Sequence, residues 1–388
     1  MKFEVPRSRR VAPGACRYAV WAAALLFTIH VDMARAVIVS AGNGAGNTSA
    51  PADDPGFANV GWRGGGSAIY LGNQWVLTAA HVGPGPTIFQ GVAYGAVPNS
   101  QVSLVNPPGV GFTTQTDLLL YRVDGLPPLP ALEIGTSVPG VGSDVALIGR
   151  GRDRLSSLGY WDSAWLPTSA PSTYAGFAWG VTNTTRWGTN KIDTINVLQS
   201  VSNTSEMSFV MDFDQAGTAF ESQGAPGDSG GAVFFKNPST GQWSLTGMMF
   251  AINNFGSQPW GIAAFGNLTF AADLATYRDQ IYAHVGLPGD VNFDGLVNVF
   301  DINVISSGWQ TAGQTGDANY DGIVNIFDLT LVGMNWTQTS GASSVAEGRA
   351  SAINAPEPGS IVLLAVGAVT LLLARKRWSG LPVRARRA

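Results

Sequence analysis

The chain has 388 residues, of which 12% are charged, and it contains 49 glycines, 22 prolines and one cysteine. This length allows two or three domains, and the glycine and proline content favours short strands joined by turns over a mainly helical protein. Twelve of the 22 basic residues lie in the ends 1–36 and 375–388, so residues 37–374 carry ten basic against 24 acidic residues, and their net charge of −14 excludes nucleic acid as a partner.

The first 36 residues have the three parts of a secretory signal peptide. The basic "MKFEVPRSRR" precedes the apolar core "YAVWAAALLFTI" (18–29) and the small-x-small site "ARA" (34–36). Cleavage by signal peptidase is therefore predicted after Ala36. The apolar core is too short to favour the alternative of a transmembrane helix. Because Cys16 leaves with the signal, the mature chain is predicted to contain no disulfide and no thiolate metal site.

Residues 37–287 are predicted to form one mainly β domain. Apolar runs bounded by turn residues indicate strands at 66–72, 73–80, 117–123, 143–149, 231–235 and 243–252. Only "FAADLATYRDQIYAHV" (270–285) has a helical pattern, with Leu274, Tyr277, Ile281 and Val285 on one face. Many strands and one final helix favour a β-barrel architecture.

Three short stretches carry a nucleophilic constellation. His81 ends a strand in "TAAHVG" (78–83), Asp117 starts one in "QTDLLLYRV" (115–123), and Ser229 lies in "GDSGG" (227–231). Serine needs a base within hydrogen-bond reach, imidazole has a suitable pKa, and a buried carboxylate orients the imidazole. The other histidines are His30 in the signal and His284 at a helix end, so only His81 remains as the base for Ser229.

The motifs "LTAAHV", "DLLLYRV" and "GDSGG", in this order, resemble those of chymotrypsin/trypsin-like serine peptidases over about 60–287. The resemblance implies two six-stranded β-barrels with the active site between them. It implies that Ser229 is the nucleophile, that His81 is the general base and acid, and that Asp117 orients His81. The backbone N–H groups of Gly227 and Ser229 would form the oxyanion hole. Asp228 would be a buried structural acid that holds the loop, and no cofactor is expected for catalysis.

Two further expectations depend on this resemblance. Cleavage after Ala36 would expose Val37 at the new N-terminus. A simple exposed tail is the favoured expectation there, and the alternative is that the new amine pairs with Asp228. Gln223, six residues before the nucleophile, would line the base of the specificity pocket and disfavour Lys or Arg substrates. A shift of two residues would instead place Glu221 there. The pocket wall is predicted to include 248–252.

Residues 288–337 contain a repeat that is predicted to bind two calcium ions. "GDVNFDGLVNVFDINVI" (289–305) recurs as "GDANYDGIVNIFDLTLV" (316–332). Each copy places oxygen ligands at loop positions 1, 3, 5, 7, 9 and 12, as in an EF-hand, with a backbone carbonyl at position 7 and glycine at position 6. The predicted ligands are Asp290, Asn292, Asp294, Leu296, Asn298 and Asp301, and Asp317, Asn319, Asp321, Ile323, Asn325 and Asp328. An acidic turn repeat without metal is the alternative.

The repeat resembles a type I dockerin, a small α-helical EF-hand-like calcium domain. This resemblance implies folding coupled to calcium binding and docking to a cohesin-like partner. The apolar pairs 299–300 and 326–327 are either core residues or part of the docking surface.

The C-terminal end contains a polar linker (338–355) and a segment with three parts (356–388). "APEPGS" (355–360) precedes the apolar "IVLLAVGAVTLLLA" (361–374) and the basic "RKR" (375–377). This order resembles the PEP-CTERM sorting signal, which implies removal by an exosortase. An ordinary transmembrane anchor, with its basic end on the inner side, is the alternative.

The sequence therefore predicts a secreted, surface-sorted serine endopeptidase that hydrolyses polypeptides and carries a calcium-dependent docking module. It is expected outside the cell or at the cell surface after transient membrane anchoring. Two alternatives remain open. One is a catalytically inactive adhesin or scaffold with the same fold, and the other is an esterase on that fold.

Overall fold

Antiparallel strands dominate the computed structural model, which describes residues 37–292, 296–310, 316–319 and 323–336. These residues all belong to the first of two units, 1–343. The second unit, 344–388, lies outside the described residues, as do the predicted signal peptide and linker. The expected mainly β architecture is confirmed.

The first large sheet has seven strands and is built from the N-terminal half of the chain. Its strands are β2 (Val60–Arg63), β3 (Gly66–Gly72), β4 (Trp75–Ala79), β5 (Thr87–Phe89), β6 (Val92–Tyr94), β7 (Val102–Val105) and β8 (Gln115–Arg122). Their spatial order is β6-β5-β2-β3-β4-β8-β7. The sheet has one strand more than the six expected, and its edge strand β6 is joined to β5 by a two-residue hairpin loop. That hairpin forms because Gln90 and Gly91 both have positive φ and fold the chain back onto β5.

The second large sheet also has seven strands. They are β9 (Asp144–Gly149), β12 (Arg186–Lys191), β13 (Thr194–Val201), β14 (Thr204–Asp212), β16 (Ala232–Lys236), β17 (Trp243–Asn253) and β19 (Leu268–Asp273). Their order is β12-β9-β16-β17-β19-β14-β13. All six predicted strands are confirmed in the two sheets.

Two smaller sheets complete the β structure. A three-stranded sheet contains β10 (Arg152–Trp161), β11 (Tyr174–Asn183) and β18 (Ile262–Ala264). A two-stranded sheet pairs β1 (Ile38–Val39) with β15 (Ser222–Gln223). The strands between 152 and 212 were not predicted, because their apolar residues are interspersed with polar ones; β13, for example, has no fully buried residue.

The predicted helix over 270–285 is shorter than expected. Helix α1 is Leu274–Val285, and its N-cap Asp273 accepts the N–H of Ala275 at 3.1 Å. The preceding residues form β19, which pairs with β14 and β17. The backbone pairing of this central strand outweighs the helix propensity of its alanines. The predicted apolar face is confirmed, since Leu274, Tyr277, Ile281 and Val285 are all buried.

The main hydrophobic cluster joins both large sheets, α1 and the repeat. Its members include Leu77 and Leu120 from the first sheet, and Ile148 and Phe234 from the second. The repeat contributes Val297, Ile305, Ala318, Val324 and Val332. The repeat is therefore packed against the β domain through a shared core.

Each copy of the repeat contains one short helix. Helix α2 is Val299–Ser307 and α3 is Ile326–Met334, and the two helices contact each other. Asn298 and Asn325 are their N-caps, and Asp301 and Asp328 complete two matching capping boxes.

Among the described residues, no helix combines the length and hydropathy needed to cross a bilayer. The apolar run at 361–374, for which a sorting signal or an anchor was predicted, lies outside them.

Candidate active site

His81 follows β4, and the side chain of Asp117 in β8 holds it at two atoms. Asp117 Oδ1 accepts the backbone N–H of His81 at 2.8 Å, and Asp117 Oδ2 lies 2.5 Å from His81 Nδ1. Strands β4 and β8 are neighbours, and Ala80 donates a further backbone hydrogen bond to Asp117 at 2.9 Å. Sheet pairing therefore brings together the two residues that the motifs singled out.

This pairing changes the electrostatics of the imidazole. The side chain of Asp117 is 4% exposed, whereas that of His81 is 45% exposed and accessible from the cleft. The hydrogen bond to Asp117 raises the pKa of His81, the negative charges of Asp117 and Glu206 act in the same direction, and partial burial opposes them. The ring is thus held in one orientation and its cation is stabilised.

Glu206 was not singled out in the sequence. It lies in β14, is fully buried, and its Oε1 accepts the backbone N–H of Asp117. Burial raises the pKa of Glu206 to about 7, although its hydrogen bonds with Asp117 and Thr204 favour the anion. An acidic residue among the buried positions of a strand was the available signal, but β14 itself was not predicted.

Within the described residues, three of the five backbone N–H groups of the loop 227–231 donate hydrogen bonds and two do not. Asp228 N–H donates to Ala225 O, Gly230 N–H to Met249 O and Gly231 N–H to Asp228 O, at 2.7–2.9 Å. In the part of the chain that the structure describes, the N–H groups of Gly227 and Ser229 donate no hydrogen bond. Two free donors beside a hydroxyl are what an oxyanion hole requires.

Ser67 of β3 ties this loop to the first sheet. Its Oγ donates to Gly227 O at 3.0 Å, and its N–H donates to Ser229 O at 2.8 Å. Gly227 and Gly230 have φ values of +99° and +85°. There is no space for a side chain at Gly230, because an added Cβ would lie 2.1 Å from Ser67 O. The glycines allow the close contact that fixes the loop.

Asp228 belongs to this loop and is buried, with 1% of the residue exposed. Its carboxylate accepts N–H groups from Gly151 at 2.6 Å and from Ala225 at 2.8 Å, and it also accepts the N–H of Val37. Burial raises the pKa of Asp228 from 3.8 to about 7, although these N–H groups and the charge of Arg186 favour the anion.

The N-terminal segment is not an exposed tail. Val37 is 1% exposed and packs in a cluster with Val145, Leu147 and others. Arg154 lies across the segment and donates from Nε to Val39 O at 2.6 Å. The favoured expectation of a simple exposed tail is therefore wrong, because burial and hydrogen bonding hold the segment beside Asp228.

His81 and Ser229 line one cleft of about 430 Å³. Its walls include 249–252, Trp260 and Thr269, so most of the predicted wall 248–252 is confirmed. Apart from His81 and Asp228, the described residues that line the cleft are uncharged. The hydrogen bonds of the described residues include none between His81 and Ser229; such contacts often tighten only when substrate binds.

Gln223 is not among the residues that line this cleft. It is fully buried in β15, where it pairs with Ile38, and its neighbour Gly224 lines the cleft instead. Glu221 is also buried and accepts N–H groups from Thr218 and Asp214, so it does not supply an acid to the cleft. Pairing with β1 turns this stretch towards the interior.

The repeat brings two carboxylates per copy into the interior. Asp290 and Asp317 are each 3% exposed, and Asp301 and Asp328 are fully buried. Predicted ligands Asp294 and Asp321 lie outside the described residues, while Asn292, Leu296, Asn319 and Ile323 are described. Among the described residues, no group of three or more His, Cys, Asp or Glu side chains is placed to hold a metal ion.

The two copies have matching hydrogen bonds. Asp301 accepts N–H groups from Val291 at 2.9 Å and Asn298 at 2.8 Å, and Asp328 accepts those of Ala318 and Asn325, both at 2.7 Å. Asn298 and Asn325 use Oδ1 to cap their helices, accepting the N–H groups of the residues two positions later at 2.8 Å. Buried carboxylates in an oxygen-only donor set fit a hard cation such as calcium.

The apolar pairs of the repeat are exposed. Phe300 and Phe327 are 61% and 65% exposed, and Val299 and Ile326 are about half exposed. They are therefore not core residues.

No family model and no curated protein matches this chain. Solved structures that are similar include an HtrA-type protease, AlgW with a decapeptide, at 20% identity and a TM-score of 0.34, covering 57% of this chain and 51% of AlgW. Neuropsin, a serine protease of mouse brain, is 15% identical with a TM-score of 0.37, covering 62% of this chain and 98% of its own. Kallikrein-related peptidase 10 with Zn²⁺ is 16% identical with a TM-score of 0.35, covering 58% and 94%.

This chain spans about half the length of the AlgW structure. Because every one of these TM-scores is below 0.5, the function proposed below is supported by the geometry of this chain alone.

Proposed function

We propose that this protein is a serine endopeptidase with a trypsin-like double-barrel fold and a His81–Asp117–Ser229 triad. One observation carries the proposal. The imidazole held by Asp117 lines the same cleft as Ser229, and the only two N–H groups of 227–231 without a hydrogen-bond acceptor among the described residues are those of Gly227 and Ser229.

The reaction proceeds through an acyl-enzyme. Ser229 Oγ attacks the carbonyl carbon of the peptide bond while His81 Nε2 accepts the hydroxyl proton, and Asp117 Oδ2 accepts the Nδ1–H of the imidazolium. The N–H groups of Gly227 and Ser229 bind the oxyanion. The C–N bond then breaks as His81 returns the proton to the leaving amine. Water, deprotonated by His81, hydrolyses the ester and restores Ser229.

The substrate is a polypeptide with an uncharged side chain at the cleaved position. The cleft walls at Ile252, Trp260 and Thr269 contain no carboxylate that could pair with lysine or arginine. A peptide library should therefore give cleavage after neutral residues, and preferential cleavage after lysine or arginine would contradict this specificity.

Labelling by a fluorophosphonate probe tests the activity. The wild type should be labelled at Ser229, and Ser229→Ala should not be labelled although it folds. A folded wild type that is not labelled would favour the adhesin or scaffold, and labelling with ester hydrolysis but no peptide hydrolysis would favour the esterase.

The N-terminus regulates this site in the same proposal. Signal cleavage after Ala36 frees the amine of Val37, whose cation pairs with Asp228. The burial of both residues and the hydrogen bond between them support this activation route. In the uncleaved precursor the nitrogen of Val37 is an uncharged amide, which cannot form an ion pair with Asp228.

The repeat binds two calcium ions in this proposal. The buried carboxylates of Asp290 and Asp301, and of Asp317 and Asp328, support it, and the ions would offset the repulsion within each pair. Asn298 and Asn325 would contribute through water, because their Oδ1 atoms cap the helices.

The exposed phenylalanines Phe300 and Phe327 support docking to a cohesin-like partner. Phe300→Ser combined with Phe327→Ser should abolish capture of a cohesin domain without lowering the melting temperature. Unchanged capture would reject this surface.

The protein is secreted, and an exosortase removes 356–388 during export. Mass spectrometry of the C-terminal peptide from native protein tests this step. Mature protein that retains the apolar run and the basic cluster in the membrane fraction would instead indicate an anchor.

A further inference from the structure

A second buried carboxylate lies directly behind the proposed triad. Glu206 is fully buried in β14, and its Oε1 accepts the backbone N–H of Asp117. Asp117 is thus bound by Glu206 at its backbone N–H, while its own carboxylate holds His81. A hydrogen bond with a charged acceptor is about twice as strong as one between neutral groups, so an ionised Glu206 holds Asp117 firmly.

The strand that carries Glu206 is itself anchored on both sides. Ser205 Oγ accepts the N–H of Thr113, two residues before β8, at 3.0 Å. Met207 N–H donates to the hydroxyl of Tyr277 in α1 at 2.9 Å. Glu206 is therefore held in place by its neighbours, and its carboxylate binds Asp117 and Thr204.

The charged groups that act on Glu206 are those of the site. Asp117 in β8 opposes its ionisation, and His81 after β4 favours it. In α1, burial raises the pKa of the Tyr277 hydroxyl, and the charge of Glu206 acts in the same direction. The charge of Glu206 in turn raises the pKa of His81. The titrations of Glu206 and His81 are therefore coupled.

We propose that Glu206 is a positioning residue that holds Asp117 by its backbone N–H and stabilises the imidazolium of His81 through its charge. This inference rests on the proposed peptidase function. Proton transfer from Ser229 to His81 is then fastest when Glu206 is ionised. Loss of its charge weakens the hydrogen bond to the Asp117 N–H and lowers the proton affinity of His81.

The experiment compares the pH dependence of fluorophosphonate labelling in the mature wild type, Glu206→Gln and Glu206→Asp. In Glu206→Gln the amide oxygen still accepts the Asp117 N–H but the charge is gone. Its acid limb should move to lower pH by about half to one unit, since a nearby charge shifts a pKa by about that amount or more. The plateau rate should fall about tenfold, which is part of the 10²–10⁴-fold that general-base catalysis typically supplies.

The conservative variant separates charge from shape. Glu206→Asp keeps the charge on a shorter side chain, so its acid limb should stay near that of the wild type while its plateau falls. A purely structural role would lower the plateau in both variants and move neither limb. The wild-type limb should also be steeper than a single ionisation, because Glu206 and His81 both titrate there. This measurement needs no variant, so it remains decisive if Glu206→Gln fails to fold.

The matched control is Glu133→Gln. Glu133 is a half-buried carboxyl whose pKa, like that of Glu206, is raised by burial, and the charge that acts on it is that of Arg278. It should leave both the limb and the plateau unchanged. A wild-type limb that fits one ionisation overturns the inference, and so does a Glu206→Gln limb that coincides with that of the wild type. Labelling of wild type but not of Ser229→Ala in the same experiment would show that the proposed function itself stands.

Discussion

Adding one residue before Val37 should change how stability depends on pH, because it replaces an amine with an amide beside Asp228. Burial raises the pKa of this carboxyl from 3.8 in the unfolded chain to about 7, although three N–H groups and the charge of Arg186 favour the anion. The folded extended chain therefore prefers the protonated acid. The contribution of Asp228 to its stability is fully present below pH 3.8 and is lost as the pH rises through about 7.

The size of the loss follows from the shift. About three pKa units correspond to about 4 kcal/mol, at about 1.4 kcal/mol per unit. In the chain that begins at Val37, the ammonium pairs with the Asp228 anion and offsets most of this loss. We therefore expect the extended chain to lose several kcal/mol more than the mature chain between pH 4 and pH 8.

Urea unfolding of both chains at the two pH values measures this difference. Other groups that titrate in the range, such as Glu206, are common to both chains and cancel. Asp228→Asn in both backgrounds is the control and should remove the difference, although it weakens both chains because its amide cannot accept every N–H that the carboxylate accepts. Equal pH dependence of the extended and mature chains would refute the pairing of Val37 with Asp228.

Three further predictions concern catalysis and metal binding. Ser229→Ala and His81→Ala should each lower peptide hydrolysis by several orders of magnitude, and the double variant should lose little more, because the groups act as a unit; substantial activity in either single variant would place the chemistry elsewhere. Asp117→Asn should keep the fold but lose about 10⁴-fold in kcat, because the amide selects the wrong tautomer of His81; near wild-type kcat would refute this role. In the full chain, chelation should lower the melting temperature, and calorimetric calcium affinity should drop strongly in Asp290→Ala or Asp317→Ala; a melting temperature unaffected by calcium would reject the metal site.

Several features were predictable from sequence because they depend on local patterns. Apolar runs between turn residues located six strands, and the 3.6-residue period located the buried face of α1. The glycines of "GDSGG" indicated close backbone approach, which is seen between Gly230 and Ser67 O. The 27-residue repeat indicated two equivalent loops, and the structure gives them equivalent capping boxes.

Features that depend on residues distant in the chain were decided only by the tertiary structure. Phe270 lies in a strand and not in the helix, because β14 and β17 pair with its backbone on either side. Gln223 is turned into the interior by its pairing with Ile38, which no pattern around residue 223 encodes. Glu206 meets Asp117 across 89 residues, and Val37 meets Asp228 across almost 200. Local sequence determined which residues could do chemistry, and long-range burial determined their neighbours, because the pKa of a buried carboxyl depends on the groups that folding places beside it.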